Sequence, residues 1–189
     1  MSTRTFIAVE LNDAMRAALA SSIVRLSRAL PAVRFTPPEG LHLTLAFLGE
    51  LDGDRLAEAY AAACAAAQGV TPFTLALMNL GFFGPPRGPR VLWAGVGGDL
   101  AALTTLHQQL AQQLEARGFP LDARPFAPHL TLARLKALLD PAALQGLAAV
   151  LQSPEQARAT LPVTALSVMK SELLRPAARY TRLKGCPLG

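Results

Sequence analysis

Apolar positions along this chain switch repeatedly between two periods, and the switches divide it into strands and helices. Phe6-Ile7-Ala8-Val9 is a continuous apolar run that predicts a short strand ending at Glu10. Either Asn12 or Asp13 can cap the helix that follows. In it Met15, Leu19, Ile23, Leu26 and Leu30 recur at helical spacing until Pro31. Pro37-Pro38-Glu39-Gly40 is a turn, the strand 41–48 comes next, and the turn 49–53 leads to a helix capped by Asp54 and ending at Gln68-Gly69. Residues 73–80 alternate like a strand, 81–90 form a loop, and 91–96 form another strand. A helix over 100–117 stops at Gly118, a residue suited to the left-handed position after a helix. Pro125 and Pro128 bracket the approach to a strand at 129–134. Asp140-Pro141 opens a helix to about Leu151, and two last strands cover 163–170 and 179–184.

Several of these strands follow one another with no helix between them, as 73–80 and 91–96 do. That excludes a doubly wound parallel sheet and predicts an α+β fold with largely antiparallel sheet. No polar linker divides residues 1–189, so one compact unit is expected. Mean hydropathy is +0.30, yet no run approaches the roughly 18 apolar residues of a spanning helix. The alanine-rich stretch 57–67 carries Glu58 and Tyr60 and reports helix propensity instead. The opening residues have no signal-peptide pattern, so a cytoplasmic protein without membrane contact is expected. Neither Cys64 nor Cys186 has a second cysteine at metal spacing, which argues against zinc. A disulfide between the two is one option, but in a cytosolic chain free thiols are the expectation. Lysine and arginine number 18 against 13 acids, a net charge of +5 that suits anionic partners such as nucleic acid. Charge alone does not separate such a partner from an ordinary basic surface.

The decisive feature is a repeat. His42-Leu43-Thr44-Leu45-Ala46 recurs unchanged as His129-Leu130-Thr131-Leu132-Ala133, and the chain has only 3 histidines. Each copy falls in a strand pattern after a proline-bearing approach, which implies two related halves. On a strand, His42 and Thr44 share one face while Leu43, Leu45 and Phe47 share the other. His129 and Thr131 lie likewise opposite Leu130 and Leu132. Leucines can bury in the core; two His/Thr pairs then converge on one cleft if the halves meet about a pseudo-two-fold axis. Such a site suits a phosphodiester. One imidazole takes a proton from water, the other gives one to the leaving oxygen, and threonine hydroxyls donate to the non-bridging oxygens. No carboxylate cluster is available to hold a metal, and none is required.

With these residues in view, the chain resembles the 2H phosphoesterase superfamily. Within it the chain looks like the RNA 2′,3′-cyclic phosphodiesterases, also called 2′-5′ RNA ligases. The likeness rests on Arg4 to Val9, on Leu41 to Gly49, on Arg124 to Arg134, on Lys170-Ser171-Glu172-Leu173 and on Tyr180-Thr181. It implies a bilobed fold, two pseudo-symmetric lobes of mainly antiparallel sheet with outer helices and a central cleft, interleaved in a single domain. The implied reaction opens a 2′,3′-cyclic phosphate on an RNA end or nucleotide to a 2′-phosphate, with no cofactor and no metal. His42 would be the proton donor and His129 the proton acceptor, with Thr44 and Thr131 beside them and Arg134 on the phosphate. Strict alternation sets Arg134 on the leucine side of its strand, so it reaches the phosphate only where that strand bends or ends. Phe47 takes its place in the first copy. Two departures stand out: Ala177-Ala178 where the family often carries glycine, and Phe35 where many relatives have tryptophan.

Phe82, Phe83, Arg87 and Arg90 form an aromatic and basic loop able to stack a base and hold RNA backbone, or equally to serve as a hydrophobic lid over the core. Trp93 is expected in the core and His107 on an exposed helix face. Lys170, Arg175 and Arg179 could extend a basic rim. Two other functions use the same residues: 2′-5′ RNA ligation as the main role, and a non-catalytic RNA- or nucleotide-binding module. A monomer is expected.

Overall fold

The computed structural model describes residues 2–153, 158–172, 174 and 178–189. Leu173, Arg175 and Ala177, singled out in the sequence, lie outside the described residues. The order is β1 (Thr3–Glu10), α1 (Asp13–Ala29), a 3₁₀ turn (Pro38–Gly40), β2 (His42–Leu51), α2 (Gly53–Ala67), β3 (Phe73–Phe83), β4 (Val91–Gly98), α3 (Leu100–Glu115), β5 (His129–Arg134), α4 (Pro141–Gln152), β6 (Thr160–Val163), β7 (Ala165–Glu172) and β8 (Arg179–Pro187). The strands form one curled antiparallel sheet in the order β6-β3-β4-β5-β2-β1-β7-β8, so the fold is α+β as expected. Its halves, β6-β3-β4-β5 and β2-β1-β7-β8, meet where the two repeats lie side by side. They are interleaved in sequence, because the chain leaves β1 and β2 to form β3 to β6 and then returns with β7, which pairs with β1.

The helices bury their apolar stripes against one face of this sheet. Met15, Leu19 and Leu26 of α1 and Leu103, Leu106, Leu110 and Leu114 of α3 join Leu43, Leu130 and Leu132 in the main core. Phe6, Ala8 and Met169 make a smaller cluster with Tyr180. Caps fix where the helices start. Asn12 Oδ1 accepts from the Met15 N–H at 2.9 Å, and Asp140 does the same for Ala143 at 2.8 Å. For α2 the cap is Asp52, not Asp54, since its carboxylate reaches the Arg55 N–H at 2.9 Å. Gly118 closes the turn after α3 with φ of 68°. No helix among the described residues is long and apolar enough to cross a membrane.

Two differences from the sequence reading bear on the site. First, β3 runs on through Gly81, Phe82 and Phe83, which pair with Trp93, Leu92 and Val91. A Cβ on Gly81 would come within 2.4 Å of the Trp93 indole, so glycine here lets that ring lie across the strand. Second, Cys64 of α2 and Cys186 of β8 are joined, with Cα atoms 4.8 Å apart, which corrects the expectation of free thiols. The pairing was hidden by distance along the chain: α2 packs on β7 and β8, which lie far away in sequence. The short β6, with Pro162 at the sheet edge, carried no periodic signal and was not expected.

The disulfide closes a separation of 122 residues. Chain entropy for such a loop gives a stabilisation of about 5 kcal/mol as an upper figure. Urea unfolding followed with and without reductant should show a clearly lower midpoint for the reduced protein. An unchanged midpoint would remove the cross-link from the energetics of the fold.

Candidate active site

Only one residue pair joins the two repeats, and it is Leu43 with Leu130, the same letter of each copy. A pseudo-two-fold axis therefore passes between them. Both leucines are fully buried on the helix side. In that antiparallel register His42 falls beside Thr131 and Thr44 beside His129, all four on the opposite face. Directly opposed residues sit about 5 Å apart and diagonal ones about 7–8 Å. The two histidines occupy diagonal corners of this square, a span on the scale of one phosphate.

The symmetry extends to an irregularity that alternation could not reveal. In β2, Ala46 pairs with Ile7 and Thr44 with Ala8, leaving Leu45 as an extra residue. In β5, Ala133 pairs with Leu92 and Thr131 with Trp93, leaving Leu132 extra. These are the same position of the pentapeptide. A bulge at that point shifts the phase of everything after it. Phe47 and Arg134, expected on the leucine side, therefore emerge with the histidines. Phe47 is 63% exposed, and both line the cleft.

Each histidine is held the same way. The His42 ring donates from Nδ1 to the Gly40 carbonyl at 2.9 Å, and His129 does so to Ala127 at 2.7 Å. A carbonyl only accepts, so Nδ1 carries the proton in both rings. Nε2 is then a proton acceptor in the neutral ring and a donor in the charged one. The surroundings differ. Phe6 lies 4.5 Å from the His42 ring and Tyr180 stands edge-on to it at 4.9 Å, whereas Phe83 meets His129 edge-on at 4.9 Å. Burial pushes His42 below histidine's ordinary range, the Gly40 carbonyl pulls it back, and the charge of Arg16 lowers it further. Arg16 also donates to the Pro38 carbonyl at 2.9 Å, tying α1 to the turn that carries Gly40.

The cleft encloses about 480 Å³. Its walls include His42, Thr44, Thr131, Arg134 and Phe35, together with Phe47, Tyr180, Arg4, Arg34 and Lys136, and among the described residues no carboxylate. His129 is not part of that wall; the register sets it next to Thr44. Phe83 touches His129, but Phe82 packs on the main core, and Arg87 is exposed in the loop 84–90 away from the cleft walls. Trp93, expected in the core, is half-buried on the His/Thr side, opposite Thr131 and 5.4 Å from Phe83. Its indole N–H is buried without a hydrogen-bond partner among the described residues. His107 is half-buried rather than exposed, stacked on Phe126 at 3.9 Å. Lys170 is ion-paired with Glu172 at 3.0 Å. Sequence reasoning missed Phe6, Tyr180, Arg4, Arg34, Lys136 and Arg16. The first lies in an all-apolar run that gives no hint of its face, and the rest look like ordinary surface residues.

Sheet and site together define a protein built on two antiparallel His-x-Thr strands. Comparison with known proteins places it further. Residues 16–174 match the 2′-5′ RNA ligase superfamily, and the chain belongs to that family. It is 40% identical over 147 residues to an RNA 2′,3′-cyclic phosphodiesterase of Geobacillus stearothermophilus, covering 76% of this chain but 46% of that protein. To the protein of the same name from Methanothermobacter thermautotrophicus it is 30% identical, covering 97% of this chain and 98% of the other. A crystal structure from Thermus thermophilus superposes with a TM-score of 0.76 at 30% identity, over 98% and 97% of the two chains. E. coli LigT complexed with 3′-AMP gives 0.73 at 27% identity, over 100% and 99%.

Imidazole NMR resonances followed against pH should show His42 titrating below 6.5. Arg16→Gln removes a positive charge that disfavours the imidazolium, so it should move that midpoint upward. A midpoint above 6.5 in the native protein, or a downward move in the variant, would contradict the environment described.

Proposed function

We propose that this chain hydrolyses 2′,3′-cyclic phosphate ends of RNA to 2′-phosphomonoesters through two-histidine acid–base catalysis, residues 1–189 acting as one unit. The convergence of both His-x-Thr copies on a cationic cleft carries this reading, together with the name shared by the curated relatives. The complexes of E. coli LigT with 3′-AMP and with phosphate fit a nucleotide phosphate as ligand. The phosphate sits between the diagonal histidines. His129 Nε2 takes a proton from water as the water oxygen bonds to phosphorus. The bond from phosphorus to the 3′ oxygen breaks, and His42 Nε2 delivers its proton to that oxygen. Thr44, Thr131 and Arg134 donate to the non-bridging oxygens, where charge must be held. Burial favours neutral His42 in the free protein; an arriving phosphodiester anion acts the other way and favours the charged ring that a donor needs.

The family name also covers RNA joining, in which a 5′-hydroxyl takes the place of water: its oxygen bonds to phosphorus as its proton goes to His129, and the 3′ oxygen leaves with the proton of His42, giving a 2′-5′ linkage. The same residues serve both acceptors.

His42→Ala and His129→Ala should each lower kcat on a 2′,3′-cyclic nucleotide by about 10²–10⁴-fold. The double variant should fall little further, because the two groups act as a unit. Thr44→Ala and Thr131→Ala should lose less. Product analysis should find the 2′-phosphate, in the presence of chelator as in its absence. Full activity in either histidine variant, or a 3′-phosphate product, would sink the mechanism.

A further inference from the structure

The cleft carries more positive charge than the reacting group can use. A 2′,3′-cyclic phosphate has one negative charge, which Arg134 and the two threonine hydroxyls already address. Yet Lys136 also lines the cleft, two residues beyond Arg134. Between them Leu135 is buried, and its N–H donates to the Arg90 carbonyl at 2.8 Å. Leu135 is turned inward, and Arg134 and Lys136 on either side of it both face the cleft, with the chain bending at Lys136. At full strand rise an i, i+2 spacing is about 6.6 Å, and at a bend it is less, within the range of neighbouring phosphates of a nucleic-acid strand.

Lys136 has no ion-pair or hydrogen-bond partner among the described residues. Among the described residues four acids are paired with cations: Glu58 with Arg117, Asp122 with Arg124, Glu172 with Lys170, and Glu10 with Arg182. None of those residues is in the cleft wall, and among the described residues no acid lies in it beside Lys136. An unpaired ammonium beside a phosphate-binding arginine is suited to a second phosphate.

We propose that Lys136 forms a second phosphate site that holds the internucleotide phosphate preceding the cyclic end. The preferred substrate is then an RNA strand end of at least two nucleotides over a lone cyclic nucleotide. This rests on the phosphodiesterase reading above.

Three substrates separate the possibilities: a cyclic mononucleotide, the same with a 5′-phosphate, and a dinucleotide ending in a cyclic phosphate. The dinucleotide should exceed the plain mononucleotide in kcat/KM by about tenfold, the scale of one charged contact. Lys136→Gln should remove that advantage, while Lys136→Arg should retain most of it. Lys184→Gln, the same charge change on exposed β8, should leave the ratio as it is. The salt dependence of kcat/KM should be steeper for the dinucleotide by about 0.7 in log–log slope, and the extra slope should vanish in Lys136→Gln. Equal kcat/KM for all three substrates overturns the second site and leaves the phosphodiesterase reading intact. So does an equal loss on all three in the glutamine variant, or an advantage confined to the 5′-phosphorylated mononucleotide. Turnover of none of them by the native protein overturns the phosphodiesterase reading itself.

Discussion

The pairing of Leu43 with Leu130 is the constraint from which the rest of the site follows. Both side chains are fully buried under the helices, so the register between β2 and β5 is fixed by the core and not by the polar groups. A slip of one residue would turn every side chain of one strand over. Leucines would then face the cleft and a histidine would be buried, a change opposed by several kcal/mol of lost apolar burial. Because the paired residues are the same letter of a repeat, the groups that flank them are matched automatically. One hydrophobic contact thus brings four polar side chains, remote in sequence, onto one patch.

A symmetric scaffold has to be broken before two identical residues can do different things. The bulges at Leu45 and Leu132 supply the means: each re-aims the following residues toward the cleft, and those residues are not alike. Phe47 arrives on one side and Arg134 on the other. The rings differ in their neighbours too. His42 lies among Phe6, Tyr180 and the charge of Arg16, while His129 meets the edge of Phe83. Shared Nδ1 bonds to backbone carbonyls keep both Nε2 atoms available for proton transfer. Burial lowers the proton affinity of His42; on the proposed mechanism the two rings act as acid and base on one phosphate.

Much of this was legible in the residues, for identifiable reasons. Helix positions followed from clean spacing and caps, and the site strands from an exact five-letter repeat containing rare histidines. Alternation then misplaced Phe47 and left Arg134 on the wrong side, because a bulge is a pairing event between two strands and leaves no mark in either one alone. The disulfide escaped for a similar reason: compartment statistics favoured thiols, and only the packing of α2 on β8 brings Cys64 to Cys186. Tyr180 stood out as a sequence match but gave no sign of touching His42, since that contact reaches across β1 and β7. Trp93 looked like core because large aromatics usually are; the glycine opposite it, Gly81, was the available signal that it lies across the strand instead.

A crystal structure with a 2′-phosphorylated nucleotide bound bears most directly on the central claim. The phosphate should be found between the two imidazoles, within hydrogen-bond reach of Nε2 of both His42 and His129, with the Thr44 and Thr131 hydroxyls on its remaining oxygens. A phosphate that touches only one of the rings, or that sits elsewhere on the molecule while the nucleotide is fully occupied, would contradict it.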